Sequence, residues 1–511
     1  MPQYLSPGVY VEELDGGPRP IEGVGTAVAA FVGLAEKGPV NEPTLVTNWT
    51  QFVKTFGDFT EGAYLAHAVY GYFQNGGTIA YVVRIGGEAG SAPSARGELT
   101  AGEGKQLPYR VQALEPGTAG NDVSVEIQHP QGEGASEDSF TIVVKKGGKV
   151  EETHADLSTK KGKQNAVQVV NQASKLIRLE EATSGGQLER PAAGNVSLGG
   201  GSASAAPASI EAADYVGDVA NRTGFGALEA IEDITMVAVP DLTSAYERGQ
   251  ITAEDFKAVQ LSMVGHCELM GDRMAILDPP PGLNAQQIKE WRVEQAGYDS
   301  KYAALYWPRI KVLDPASGKN IFVPPSGHIA GLWARTDAER GVHKAPANDV
   351  IRGAIELEIN ITKGENDLLN PEGVNCIRAF PGRGIRVWGA RTLSSDPAWK
   401  YINVRRLFNY LEKSIQNNTD WIVFEPNDRD LWAKIRRTIA GFLVMEWRKG
   451  ALFGSTPDEA FFVKCDDETN PAEAIDLGQV TCQIGVAPVK PAEFVIFQLQ
   501  QLPSGVSLVN E

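Results

Sequence analysis

Cysteine, histidine and long apolar segments are all scarce in this chain of 511 residues. The four cysteines lie too far apart to form a paired-cysteine motif, so the sequence predicts neither a zinc ribbon nor a disulfide framework. None of the six histidines has a partner at the three- or four-residue spacing of a helical metal site. We therefore expect no metal and no cofactor. The cysteines are Cys267, Cys376, Cys465 and Cys482, and we expect them to stay reduced in a protein that folds in the cytoplasm.

Signals for membranes and for secretion are missing as well. The longest apolar run covers residues 439–445, which is far short of the roughly 18–20 residues that span a bilayer. The first residues, MPQYLSP, contain neither the cationic start nor the apolar core of a signal peptide. We expect no membrane insertion and no export by the general secretory route.

Motifs for catalysis and for nucleotide binding are also absent from the sequence. No Gly-Lys pair is followed by Ser or Thr as in a phosphate-binding loop, and the GRG sequence at 382–384 lacks the third glycine of a dinucleotide fingerprint. Ser326 and His328 place a hydroxyl group near an imidazole, but no strained nucleophile turn accompanies them. We expect a structural turn there and a protein that is not an enzyme, with a subtilisin-type hydrolase as an alternative.

Charge is distributed unevenly along the chain. The formal net charge of −17 argues against binding to nucleic acid. Residues 376–456, however, contain 14 Lys and Arg against 7 Asp and Glu. Two helices are predicted at 401–416 and 430–448, with a strand at 421–424 between them. Helical-wheel positions in the two helices separate these cations from the apolar side. On the first helix, Arg406 and Lys413 lie opposite the apolar face, with Arg405 at the edge of that cationic side. On the second, Arg437 and Arg448 point outward, and Lys434 and Arg436 flank them. They indicate a surface for an acidic partner, although ordinary solvated helix faces are the alternative.

The order of predicted elements indicates a multidomain α/β protein. A strand at 234–239, a helix at 253–270 and a strand at 274–277 alternate as in a parallel sheet covered by helices. Residues 88–205 are rich in Gly, Ser, Ala and Lys with short alternating strands, which predicts an inserted β-rich outer domain. Within it, a helix is predicted at 164–179. The predicted divisions are an N-terminal arm at 1–20, an α/β segment of the core at 21–87, the insertion at 88–205, a central α/β domain at 206–375, a C-terminal α/β domain at 376–490 and a C-terminal arm at 491–511.

The two predicted arms have the pattern of short strands. Val9, Tyr10 and Val11 lie between proline- and glycine-rich turns, whereas the run from Phe494 through Val495 and Ile496 to Phe497 is apolar on both faces. We interpret both as strands that add to sheets of neighbouring chains. Pairing of each arm within its own domain is the alternative.

Several unusual strings, spread from residue 6 to residue 494, together resemble one family. They are SPGVYVEE at 6–13, FQNGG at 73–77, PGTAGND at 116–122, PPSGHIAG at 324–331, ARTDAERGVHKAPAN at 334–348, FPGRGIRVWGART at 380–392 and KPAEF at 490–494. In this order they resemble the contractile tail sheath proteins of phage tails, tailocins and extracellular injection particles. The resemblance covers nearly the whole chain and is weakest in the insertion.

The resemblance implies a fold and a function. The fold would be a central sheath domain of subtilisin-like topology without a protease triad, followed by a C-terminal sheath domain. The chain would assemble in the cytoplasm as a homo-oligomer of stacked hexameric rings around an inner tube protein, with baseplate and terminator or cap proteins as further partners. The metastable extended sheath would then contract and drive the tube through a target envelope. A C-terminal-domain helix would touch the tube, which makes Arg405, Arg406, Lys413, Lys434, Arg436 and Arg437 the candidate contacts. A non-contractile tube or capsid-like assembly protein is the alternative.

Overall fold

The computed structural model describes residues 20–86, 94–101, 106–114, 118–130, 138–182, 189–201 and 210–498. The strands are β1 (Val28–Gly33), β2 (Thr44–Val46), β3 (Ile79–Arg84), β4 (Arg96–Ala101), β5 (Gln106–Ala113), β6 (Val123–Gln128), β7 (Ser139–Lys146), β8 (Lys149–Ser158), β9 (Ile177–Glu181), β10 (Gly194–Ser197), β11 (Met236–Ala238), β12 (Met274–Leu277), β13 (Ala303–Trp307), β14 (Ile310–Leu313), β15 (Asn320–Val323), β16 (Ala354–Leu357), β17 (Val374–Phe380), β18 (Gly384–Val387), β19 (Phe461–Lys464) and β20 (Gln483–Val486). The α-helices are α1 (Trp49–Phe56), α2 (Leu65–Asn75), α3 (Ala166–Ala173), α4 (Ala212–Val216), α5 (Asp241–Glu247), α6 (Ala253–Met270), α7 (Ala285–Glu290), α8 (Ser326–Arg340), α9 (Lys363–Leu369), α10 (Ile402–Asn417), α11 (Arg429–Arg448), α12 (Pro457–Ala460) and α13 (Ala472–Asp476). Within these ranges, no helix combines the length and the apolar character needed to cross a bilayer.

The chain divides into two compact units. The sheet unit comprises residues 27–335 and 347–394, and the terminal unit comprises the described residues among 1–26, 336–346 and 395–511. The division falls at Ser395, later than the predicted start of the C-terminal domain at Cys376. The reason is that β17 and β18 extend the large sheet of the first unit and do not begin a new one.

A single large sheet organises the sheet unit. Its eight strands lie in the order β18-β17-β13-β12-β11-β1-β3-β2. The six inner strands run parallel, and only the edge strands β2 and β18 are antiparallel to their neighbours. All six residues of β1, VAAFVG, are buried, as expected of a parallel strand that is covered on both faces. The predicted alternation of strands and helices is confirmed, and α6 and β12 have their predicted bounds.

The β-rich insert, residues 94–201, has an apolar core of its own. Strands β10-β6-β7-β8 form one sheet and β4-β5-β9 another, with Tyr109, Val125 and Phe140 among the buried residues between them. The prediction of a β-rich stretch is therefore confirmed for the described residues. The predicted helix at 164–179 is too long. Helix α3 ends at Ala173 because the following residues pair with β5 as strand β9.

Two amphipathic helices build the core of the terminal unit. Helices α10 and α11 contribute Leu407, Leu411, Ile435 and Phe442 to one buried cluster, so the two predicted helices are confirmed. The predicted strand at 421–424 is wrong. A short 3-10 turn forms there instead, and the Phe424 that follows it is fully exposed.

Candidate assembly surfaces

The C-terminal arm leaves the terminal unit directly after a polar anchor. The Tyr401 hydroxyl donates a hydrogen bond to Oε2 of Glu493 at 3.0 Å, and Nζ of Lys400 lies 3.7 Å from the same oxygen. The next side chains are apolar and uncovered: Phe494, Val495, Ile496 and Phe497 are 71%, 69%, 79% and 85% exposed. Burial of such a side chain stabilises by about 1.5–3 kcal/mol, so this segment would gain substantially from a partner surface. Val9, Tyr10 and Val11 of the predicted N-terminal arm lie outside the described residues.

Strands β19 and β20 form a small antiparallel sheet near that arm in sequence. Residues 461–464 pair with residues 486–483, and in the described part of the chain neither strand has a second strand neighbour. The outer edges therefore present backbone groups that an added strand could use. The ring of Phe462 lies across Gly485, where a Cβ atom would come within 2.1 Å of the ring. Phe462 is 58% exposed on this sheet.

Two of the predicted tube-contact arginines on α10 are buried. Arg406 forms a bidentate ion pair with Asp337, with N–O distances of 2.8 and 2.6 Å, and both side chains are less than 5% exposed. Its Nη2 also donates to the carbonyl oxygen of Thr26 at 3.0 Å. Arg405 donates to Oδ1 of Asn409 at 2.7 Å and stacks on the ring of Trp399 at 4.4 Å.

The prediction of an outward-facing Arg406, with Arg405 at the edge of the same face, is therefore wrong. The helical wheel identified the side of α10 that packs in the apolar core, but the opposite side is covered by polar and aromatic partners and not by water. Lys413, the third candidate on α10, is half-buried. This helix offers little free cationic surface in the observed conformation.

Helix α11 carries the cationic surface that α10 lacks. Lys434, Arg437, Gly441, Met445 and Arg448 recur at helical spacing and are all exposed. Among the residues that the structure describes, none forms an ion pair with Lys434, Arg437 or Arg448. The outward positions expected for Arg437 and Arg448 are confirmed, and Lys434, which was expected at the flank, is exposed as well. Arg436 is half-buried and donates to the carbonyl oxygen of Cys465. We call Lys434, Arg437 and Arg448 the α11 cationic face.

The Ser326 and His328 pair lies in the core of the sheet unit. Both residues form the first turn of α8 and not the predicted loop turn, and they are 0% and 2% exposed. The backbone N–H of Ser326 donates to Oδ1 of Asp278 at 3.1 Å. Burial lowers the pKa of His328 to about 3 and raises the pKa of Asp278 to about 7. A substrate could not reach the Ser326 hydroxyl in this conformation.

The small residues of the same PPSGHIAG string have a packing role that the sequence analysis missed. A Cβ atom on Gly327 would lie 2.4 Å from Cα of Ala68, and one on Gly331 would lie 2.4 Å from the carbonyl oxygen of Tyr72. These two glycines let α8 approach the backbone of α2 closely. In the described ranges, no group of three or more His, Cys, Asp or Glu side chains could hold a metal ion.

Two family models match consecutive parts of the chain. The model of the phage tail sheath protein central domain matches residues 208–393, and the model of the phage tail sheath C-terminal domain matches residues 394–501. The junction between them lies next to the boundary at Ser395 where the terminal unit resumes.

Similar proteins and structures extend the match. The tail sheath protein of Vibrio phage KVP40 is 28% identical over 235 residues, which are 43% of this chain and 34% of that protein. This chain thus spans about a third of that relative's length. The tail sheath protein of Burkholderia phage BcepMu is 24% identical over 523 residues, with 96% of each chain covered.

Two solved structures have the same fold. One is the PVC sheath complex of an extracellular contractile injection system in its contracted state, at 23% identity and a TM-score of 0.59, covering 98% of this chain and 99% of that one. The other is the helical sheath of the anti-feeding prophage in its contracted state, at 24% identity and a TM-score of 0.59, covering 97% and 99%. The two family models together span residues 208–501, more than half of the sequence, and the chain therefore belongs to the phage tail sheath protein family.

Proposed function

We propose that this chain is the structural sheath subunit of a contractile injection machine. It polymerises as stacked hexameric rings around an inner tube and contracts from a metastable extended state to drive the tube through a target envelope. The observation that carries the proposal is the match of both sheath domain models in consecutive order along residues 208–501. Assembly takes place in the cytoplasm on a baseplate, under a terminator or cap protein, and the subunit acts without catalysis.

Electron microscopy of purified particles tests this function. We expect tubes that become shorter and wider on triggering, in the presence of apyrase, because the energy is stored in the extended lattice and not supplied by nucleotide. Contracted sheath should also resist denaturant better than extended sheath. Smooth tubes of fixed length and width would instead identify a non-contractile tube protein.

The arms are the proposed links between subunits. We infer that the apolar run Phe494–Phe497 of one subunit, and the segment around Tyr10 of another, add as strands to the free edges of β19 and β20. The uncovered side chains of the C-terminal arm support this role. Each added strand would contribute several backbone hydrogen bonds of about 0.5–1.5 kcal/mol net, and repetition along the lattice would make the filament durable.

We further propose a subtilisin-like topology for the sheet unit and an outer position for the β-rich insert. The row of parallel strands supports the first, and the independent apolar core of the insert supports the second, because a domain with its own core can protrude from an assembly without losing its fold.

The α11 cationic face is the proposed contact with an acidic inner tube. It replaces Arg405 and Arg406 in that role, because those two side chains are committed to partners within the terminal unit. Exposed ion pairs contribute only about 0–1 kcal/mol each and are screened by salt. Many such pairs, repeated on every subunit, would hold the sheath on the tube and still release when the sheath expands.

Charge reversal on α11 tests the contact. The triple variant Lys434→Glu, Arg437→Glu and Arg448→Glu should fold normally, since exposed substitutions usually change stability by less than about 0.5 kcal/mol. At physiological salt it should fail to form extended sheath on its tube, while still forming tube-free sheath polymers. Both products are counted by electron microscopy.

A matched control reverses three exposed cations of the β-rich insert. Lys149, Lys161 and Lys163 are exposed, and their change to Glu alters the net charge by the same amount. This control should assemble normally on the tube. Normal extended particles from the α11 triple variant would show that its cationic face is only a solvated surface.

A further inference from the structure

Two cysteines of the terminal unit face each other at one end of the β19–β20 sheet. Cys465 directly follows β19, and Cys482 directly precedes β20. Because Lys464 pairs with Gln483 in this antiparallel sheet, one more step of the register places Cys465 opposite Cys482.

The two thiols lie close enough to influence each other, since the neighbouring Cys465 contributes to the raised pKa of Cys482. Cys465 is buried and Cys482 is half-buried. Directly opposed residues of antiparallel strands have Cα atoms about 4.5–5.5 Å apart, which is within the range of about 4.4–6.8 Å found for disulfides. A bond between the two sulfurs would therefore need little movement of the backbone.

The surroundings hold Cys465 in place. The Nδ2 of Asn470 donates to its sulfur at 3.7 Å, and Arg436 of α11 donates to its carbonyl oxygen. The other two cysteines, Cys267 and Cys376, are fully buried in the sheet unit. Cys482 is thus the thiol that a dissolved oxidant can reach first.

We propose that Cys465 and Cys482 are a redox modification site, at which a small-molecule disulfide oxidant converts the two thiols into an intrachain disulfide that staples β19 to β20. The site depends on the strand register that places the two cysteines opposite each other, and it is independent of the sheath function proposed above.

The reaction proceeds by two thiol–disulfide exchanges. The Cys482 thiolate attacks oxidised glutathione, which forms a protein–glutathione disulfide and releases one glutathione thiolate. The Cys465 thiolate then attacks the sulfur of Cys482 and releases the second glutathione. Two protein thiols lose two protons and two electrons, and one oxidised glutathione becomes two reduced molecules.

The pKa of the Cys482 thiol controls the rate of disulfide formation. Burial and the adjacent Cys465 raise the pKa of Cys482 to about 12, so little thiolate is present at neutral pH. Oxidation should accelerate as the pH is raised, because the thiolate is the attacking species.

The test uses the full chain, treated with oxidised glutathione at pH 8.5 and then labelled with N-ethylmaleimide in denaturant. No Lys or Arg lies between Cys465 and Lys490, so one tryptic peptide contains both cysteines. We expect this peptide to carry no maleimide and to be lighter than the reduced peptide by two hydrogen atoms. Cleavage at Glu468 and Glu473 should leave the cysteine halves joined until reductant is added.

Stapling should also raise the thermal midpoint of the terminal unit. The disulfide would close a loop of 18 residues, from 465 to 482. We expect the thermal midpoint to rise by roughly 5–10 °C and to fall back when dithiothreitol reduces the disulfide. An unchanged thermal midpoint in the oxidised protein would contradict the proposal that the disulfide stabilises the β19–β20 sheet.

The single variants supply the controls. Cys465→Ser should retain a glutathione adduct at Cys482, whereas the natural chain should pass through that adduct and retain none. A lasting adduct at Cys482 in the natural chain, or disulfide-linked dimers, would overturn the proposal. So would free thiols at both positions under conditions in which Cys465→Ser is modified.

Discussion

Deletion of residues 492–511 should give a folded monomer that does not polymerise. The removed segment carries the four exposed apolar side chains Phe494–Phe497, and none of its described residues, 492–498, belongs to the buried apolar core of the terminal unit. Folding should therefore survive, whereas every contact made by the arm in a lattice is lost. Size-exclusion chromatography shows whether the variant is a monomer, and thermal unfolding shows whether it is folded. Electron microscopy shows whether it forms polymers.

A variant with four substitutions makes the same test without shortening the chain. Replacing Phe494, Val495, Ile496 and Phe497 by Ser keeps the chain length and the anchor at Glu493, and should also abolish polymers. The matched control is Phe424→Ser, because Phe424 is a fully exposed aromatic residue of the same unit outside the arm.

Removal of residues 1–13 should have the effect of the C-terminal deletion. Normal sheath from both deletion variants would refute strand exchange by the arms.

Loss of the buried Arg406–Asp337 pair should produce the largest change in stability. Arg406→Met leaves the Asp337 carboxylate buried without its bidentate partner, and removal of one member of such a pair costs about 3–5 kcal/mol of unfolding free energy. Asp337→Asn should be costly for the same reason. Urea unfolding of the monomeric arm-deletion variant measures the loss without interference from polymers.

Two further variants sharpen this test. The double variant Arg406→Met with Asp337→Leu should cost less than the sum of the single changes, because it leaves no unpaired buried charge. Arg437→Met, on the exposed face of α11, should change the unfolding free energy by less than about 0.5 kcal/mol. An equally small loss in Arg406→Met would contradict the ion pair.

Apolar periodicity predicts much of this fold but little of its polar packing. Helix α6 and strand β12 have their predicted bounds because a capping box at Thr252 and a left-handed glycine at Gly271 delimit the helix. The same reasoning failed at Arg406, since its partner Asp337 lies 69 residues away in sequence. A buried arginine and a solvated one look alike on a helical wheel.

The exposed surface of the terminal unit could be predicted only in part from the sequence. The exposed cations of α11 follow from its clear apolar face, but nothing in the sequence showed which of two cationic helices would keep its charges in water. The segment at 421–424 has the composition of a strand, yet none of the strands in the described residues pairs with it, and it forms a turn instead. Pairing partners, unlike helix propensity, are set by the tertiary fold.

The terminal unit joins an early segment of the chain to a late one, and this determines when the unit can fold during synthesis. Thr26 accepts a hydrogen bond from Arg406, and the N–H of Val24 donates to the hydroxyl of Ser414 at 3.1 Å, across 380 and 390 residues of chain. At about 5–20 residues per second, the ribosome needs on the order of 20–80 s to make the partners of this first segment. The terminal unit is therefore among the last parts of the molecule to fold, so a nascent chain that has not yet released α10 from the ribosome cannot complete this unit.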